Sequence, residues 1–128
     1  MTTAPKQRPK YYDLNLAHLP APGLVSIFHR LSGAALFFPV IPAVLYLMQV
    51  TLGSETGWLQ WKAVFAQPVV KAVVLGFAWL YVHHFLAGIR YLLLDVHVGI
   101  AKDAARASAI AVFVAGAICT LLVAWRLW

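Results

Sequence analysis

The run YVHHFLAGIRYLLLD at residues 81–95 decides the fold, because it is apolar enough to lie in lipid and yet carries two histidines, an arginine and an aspartate. Ionisable side chains at membrane depth are costly and, by default, mark functional sites. The whole chain has the same apolar character: 62% of its 128 residues are hydrophobic and 11% are charged, with a mean hydropathy of +0.80. Soluble domains average about 25% charged residues. The composition therefore predicts a membrane protein.

Three apolar segments are long enough to cross a bilayer as helices, which takes about 20 apolar residues. We predict an all-α membrane protein with a single membrane-anchor domain over residues 1–128. A basic cytoplasmic arm with several prolines (1–21) precedes three transmembrane helices at 24–52, 69–96 and 107–128. Pro39 and Pro42 fall inside the first helix, where a membrane helix tolerates them with a kink. The segment between the first two helices contains residue types that anchor a chain at the level of the lipid headgroups: Trp58, Trp61 and Lys62.

The distribution of basic residues predicts the orientation of the spans. Seven basic residues flank the side that carries the N-terminus and three flank the other side: Lys6, Arg8, Lys10, Arg30, Arg90, Lys102 and Arg106 against Lys62, Lys71 and Arg126. Cytoplasmic flanks carry the excess of Lys and Arg, so we expect the N-terminus in the cytoplasm and the C-terminus outside. The net charge of +6 is interpreted in the same way, as a topology signal and not as a nucleic-acid surface.

The termini and the cysteine add two smaller expectations. The N-terminal segment has no apolar core of a signal peptide, so the first membrane helix is expected to be retained. Cys119 is the single cysteine and lies in an apolar run, so no internal disulfide is expected.

The second predicted helix carries a polar stripe. His84, Gly88, Tyr91 and Asp95 follow spacings of four, three and four, so they share one helix face, and His83 begins the adjacent face. An imidazole in a helix bundle can bind a metal, move a proton or join two helices by a hydrogen bond. Haem iron is commonly held by histidine, and Gly88 would let a flat macrocycle or a partner helix come close. Either a haem ligand or an interhelical hydrogen bond accounts for His84 at this stage.

A single histidine supplies a single axial ligand. No other predicted span carries a histidine at the depth of His84, so a six-coordinate haem would need its second ligand from another subunit or copy.

The first predicted helix begins with a second polar group, SIFHRLSG at residues 26–33. Ser26 and Arg30 are one turn apart, as are His29 and Gly33. Arg30 can bind carboxylates such as haem propionates, and the Ser26 hydroxyl can hydrogen-bond a carbonyl oxygen such as that of a quinone. The alternative is an arginine that only sets topology, with an interfacial serine and histidine beside it.

Together these two groups resemble the cytochrome b anchor subunit of succinate dehydrogenase (complex II). The matching residues are Arg8-Pro9 in the arm, the segment 26–33, and His84 placed four residues before Gly88-Ile89-Arg90, with Asp95 following. The resemblance covers nearly the whole chain and includes the three-span layout. It implies that the helices form part of a multi-subunit bundle.

The resemblance also implies roles for individual residues. His84 would be the axial ligand to the iron of haem b, with the second axial histidine coming from a partner anchor subunit. Ser26 and Arg30 would line the ubiquinone pocket, and His29 and Arg30 would lie near the haem propionates. Tyr91 stands where this family often has histidine, so a propionate contact there would have to come from a phenol. His83 is the alternative ligand and points roughly 100° away from His84.

The function that the resemblance implies is that of an anchor, with no catalysis by this chain alone. The chain would hold a flavoprotein and an iron–sulfur subunit, together with the second anchor subunit, at the inner face of the bacterial cell inner membrane. Those partners would oxidise succinate and pass electrons to ubiquinone; no nucleic acid is expected among the partners.

Two alternatives remain open. One is another quinone-linked anchor, such as that of a fumarate reductase, or a version lacking haem. The other is a small non-enzymatic membrane transporter, which paired carboxylates at the midplane would favour; the sequence has none there.

Overall fold

The computed structural model describes residues 18–128, and the described part of the chain is helical without strands. Three helices in it are long and apolar enough to cross a membrane. The first span consists of two α-helices joined by a π-helical turn at Leu36–Val40. The elements in chain order are α1 (Ala21–Ala35), α2 (Ile41–Gly53), α3 (Glu55–Phe65), α4 (Pro68–Asp95) and α5 (Lys102–Leu127). The predicted all-α fold with three spans is thereby confirmed, while most of the predicted arm, including Arg8-Pro9, lies outside the described residues.

The predicted helix bounds differ most at the third span. The first two spans begin and end within three residues of the prediction, whereas α5 begins at Lys102 instead of residue 107. The polar first turn of α5 is rich in alanine and charged residues with good helix propensity, which an apolar pattern does not mark. The turn before it is short because His97 and Gly99 adopt positive φ angles of 65° and 77°.

The π-helical turn lies where the prolines predicted an interruption of the first span. Pro39 has no N–H to donate, so the regular hydrogen-bond pattern cannot continue through it. The Ile41 N–H bonds the carbonyl of Leu36, five residues earlier. One extra residue per turn thus keeps backbone groups paired in a segment that lipid cannot hydrate.

A sharp turn separates the first span from α3. The Ser54 side chain accepts a hydrogen bond of 3.0 Å from the Gly57 N–H, which caps the N-terminus of α3. Gly57 is buried, and a Cβ there would collide with the carbonyl oxygen of Val50. The turn folds α3 back on α2, where Tyr46 and Trp61 pack edge to face.

The three spans meet where α1 packs against the second half of α4 and the first half of α5. Their shared core is small and consists of Val25, Ala87, Ala109 and Val112, with the polar residues Ser32, His83 and Arg90 also buried. Most large apolar side chains point outward, as lipid or partner helices require. At the opposite end, Lys71 donates a 2.7 Å hydrogen bond to the carbonyl of Leu127 and lies over the Trp128 ring, which ties α4 to α5.

Candidate functional site

The imidazole of His84 lies between α4 and α1, and its two nitrogens have different surroundings. Nδ1 is 3.1 Å from the carbonyl oxygen of His29 and 3.2 Å from Oγ of Ser32. A carbonyl oxygen only accepts hydrogen bonds, so the proton belongs on Nδ1. Nε2 then carries the lone pair, and no hydrogen bond to it occurs within residues 18–128. The arrangement offers one unprotonated nitrogen in a fixed orientation.

Ser32 supports this orientation from inside the helix pair. It is fully buried, and its hydroxyl also donates to the carbonyl of His29 at 3.0 Å. The same carbonyl therefore accepts from Ser32 and lies within hydrogen-bond distance of Nδ1 of His84.

His29 lies directly against His84. The two rings are stacked, 4.3 Å apart and 6° from parallel. The ring of Tyr91 lies 5.2 Å from that of His29. The predicted stripe on α4 and the predicted polar start of the first span thus meet in one cluster.

Gly33 is the glycine that this contact requires. A Cβ at position 33 would lie 2.9 Å from Cε1 of His84, too close for the ring to keep its place. A Cβ at Gly88 would lie 3.7 Å from Nε2 of His29, an ordinary van der Waals distance. The sequence suggested a close approach at Gly88, and the tighter contact within this chain is at Gly33.

His83 points into the core of its own chain. It is fully buried, and its ring packs against Phe28, Trp79 and Phe113 at centroid distances of 5.9, 5.1 and 5.2 Å. Neither ring nitrogen meets a hydrogen-bond partner among the described residues. This enclosure by aromatic side chains favours His84 over His83 as a ligand to any group outside the chain.

Arg90 and Tyr91, which follow the predicted motif glycine, are turned inward. Arg90 is 6% exposed and donates to Oγ of Ser108 at 3.0 Å and to the carbonyl of Ala105 at 3.1 Å. The guanidinium therefore joins α4 to α5. The Tyr91 hydroxyl is buried and has no hydrogen bond in the described part of the chain. Asp95, the last residue of α4, is exposed.

Ser26 and Arg30 lie on α1 within one turn of the residues that contact His84. Each precedes a residue of the cluster by three positions, Ser26 before His29 and Arg30 before Gly33, so helical spacing places them along the same edge. Ser26 is half-buried and Arg30 is exposed. Within residues 18–128 their side chains make no hydrogen bond or ion pair, so both are available to a ligand or partner.

Two residues of this cluster had no predicted role. Ser32 and Gly33 were part of the sequence motif, but their contacts with His84 depend on how α1 packs on α4. Their spacing from His29, three and four residues, is the signal that could have placed them on the same side of the helix.

Comparison with known proteins gives the chain its family. Residues 4–123 match the family described as succinate dehydrogenase/fumarate reductase transmembrane subunit. The chain is 30% identical to the "Succinate dehydrogenase cytochrome b556 subunit" of Coxiella burnetii, over 95% of this chain and 98% of that protein. It is also 30% identical to the protein of the same name from Rickettsia felis, over 95% and 91% of the two chains. The chain therefore belongs to the succinate dehydrogenase/fumarate reductase transmembrane subunit family and is a multi-pass membrane protein.

Proposed function

We propose that this chain is the haem b-binding anchor subunit of a succinate:ubiquinone oxidoreductase in the inner membrane of a bacterium, with its N-terminus in the cytoplasm. It helps to form the quinone site and to pass electrons from an iron–sulfur subunit to ubiquinone. The observation that carries the proposal is the environment of His84, whose Nδ1 is held by the His29 carbonyl while Nε2 is left for a metal. The relatives named as cytochrome b556 subunits support it.

The residues present fit a haem. A histidine that binds iron usually donates its other ring N–H to a carbonyl or carboxylate, which fixes its orientation. His84 has that arrangement with His29 and Ser32. When bound, the haem supplies one-electron transfer chemistry.

A second residue to hold the haem would come from a partner anchor subunit. His29 cannot be that residue, because its ring is stacked 4.3 Å from that of His84 and leaves no space for a macrocycle between them. His83 is enclosed in the core of the chain. The many outward-facing apolar side chains provide the surface on which such a partner, and lipid, would pack.

Arg30 and Ser26 are assigned to the ligands beside His84. The exposed guanidinium of Arg30 can bind a propionate in a bidentate manner, and His29, the preceding residue on α1, is assigned to the same group. The Ser26 hydroxyl donates to a carbonyl oxygen of ubiquinone. The positive charge of Arg30 stabilises negative charge that develops on that oxygen during reduction. Tyr91 is not assigned a propionate contact, because its hydroxyl is buried.

The quinone assignment is tested by separating two activities of the assembled complex. We expect Ser26→Ala and Arg30→Ala to lower succinate-driven ubiquinone reduction by roughly a hundredfold to a thousandfold, the usual cost of removing one preorganised donor to a developing negative charge. Succinate oxidation by a soluble electron acceptor should persist, because the flavoprotein catalyses it. Arg126→Ala, an exposed arginine at the far end of α5, is the control. If quinone reduction is unaffected in both site variants, the pocket lies elsewhere.

The family name also covers fumarate reductases. Measuring quinol-driven fumarate reduction in the same preparations separates the two. A complex that reduces fumarate efficiently but hardly oxidises succinate would contradict the direction proposed here.

A further inference from the structure

A concave site lies at the end of the bundle that carries residue 18, and it is lined by none of the residues of the histidine cluster. It is a cavity of about 450 Å³ between residues 18–22, which lead into α1, and the first turns of α5. Lys102, Arg106 and Ile110 line it from α5, and Pro22 is part of the opposite wall. None of these residues belongs to the haem or quinone site proposed above.

The charges of this cavity are not balanced within residues 18–128. Lys102 and Arg106 are one turn apart on α5, and like charges at this spacing repel each other. Neither side chain makes an ion pair or hydrogen bond within residues 18–128. Asp103 is next to Lys102 in sequence but projects about 100° away around the helix. Two unpaired cations that line one concavity favour an anionic ligand.

The lining residues lie at different depths in the span, and their order indicates that the ligand is an amphiphile, with a charged head and an apolar tail. Ile110 lies one turn deeper in the span than Arg106, so the cavity is cationic at the membrane surface and apolar below it. Basic pockets between transmembrane helices on the cytoplasmic side bind anionic lipid headgroups. An acidic partner protein would need a contact surface of about 1,000 Å² or more, to which so small a concavity contributes little.

We propose that this cavity binds an anionic phospholipid. Lys102 and Arg106 bind the phosphate, and Ile110 and Pro22 contact the start of an acyl chain. The site is independent of the haem and the quinone, so those assignments and this one can fail separately; its place on the cytoplasmic side rests on the orientation proposed above.

The test uses the complex purified with its partner subunits and placed in phosphatidylcholine nanodiscs with spin-labelled phosphatidylglycerol. The fraction of immobilised label reports binding, and spin-labelled phosphatidylcholine gives the background. Lys102→Gln/Arg106→Gln should weaken phosphatidylglycerol binding by about tenfold or more, since each basic residue near the surface contributes about 1 kcal/mol. The control, Lys62→Gln/Arg126→Gln, removes the same charge from exposed residues at the other end and should bind as the unaltered complex does.

The following results would overturn the proposal. The first is equal binding by the site variant and the unaltered complex, and the second is equal loss in the control. The third is release of the soluble subunits by the site variant with lipid binding unchanged, which would make the cavity a protein-docking site. Inorganic phosphate is added as a competitor, and full displacement of the lipid by it would assign the cavity to a free anion.

The unaltered complex provides a test that needs no variant. Phosphatidylglycerol binding should weaken from low to high salt, because salt screens exposed charges. Binding that is insensitive to salt would also contradict the proposal.

Discussion

At the scale of single residues, His84 depends on neighbours that sequence spacing does not reveal. Histidine spacing on the second span predicted a polar stripe, and His84 and Tyr91 do lie together against α1. The carbonyl of His29 and the hydroxyl of Ser32 became partners of Nδ1 only through the packing of two helices distant in sequence. The burial of His83 was equally unpredictable, because adjacent residues on a helix give no indication of which one faces the core.

Gly33 gives a prediction at this scale. We expect Gly33→Ala to displace the His84 ring, because the added Cβ would lie 2.9 Å from Cε1. The haem content of the purified complex, measured as the ratio of haem to protein, should fall severalfold, as losses around a metal ligand usually do.

The matched change is Gly88→Ala on the other helix. Its Cβ would lie 3.7 Å from His29, so haem content should change little. Equal effects of the two alanines would mean that Gly33 has no special part in positioning His84.

At the scale of helices, α4 has two faces that contact different parts of the chain. One face, with His84 and Gly88, contacts α1, and the neighbouring face, with Ala87 and Arg90, is buried towards the core and α5. The division of the helix into these faces could be predicted from residue spacing alone. The start of α5 could not be predicted, because its first turn has no apolar pattern. The π-helical turn could not be predicted either, because a proline marks where a helix is interrupted but does not determine which local structure forms there.

The hydrogen bonds by which Arg90 joins α4 to α5 give a prediction about stability. Arg90→Met removes the bonds to Ser108 and Ala105 from a buried position. Hydrogen bonds from charged groups contribute about 1.5–3 kcal/mol each, so thermal unfolding of the complex should occur at a clearly lower temperature. The change is compared with Arg126→Met, which alters an exposed arginine on α5 and should leave the transition in place. Transitions shifted by the same amount would show that Arg90 is no more important to stability than a surface arginine.

At the scale of the whole molecule, the chain is one part of a larger assembly. Its three spans bury only a small core, and most of their large apolar side chains face outward. The proposed haem has one ligand here, and the family to which the chain belongs is that of a transmembrane subunit of an enzyme. Composition and length were sufficient to predict the spans, whereas the identity of the partner surfaces depends on chains that the sequence does not contain.

The claim that His84 is the haem ligand is tested most directly by a reduced-minus-oxidised absorption spectrum of the complex assembled with its partner subunits. We predict a b-type signal in the unaltered complex, its loss in His84→Ala, and its retention in His83→Ala, because only the His84 ring has an orientation and an available nitrogen suited to an external iron. An unaltered complex without a b-type signal, or a signal that survives His84→Ala and disappears in His83→Ala, would contradict the account.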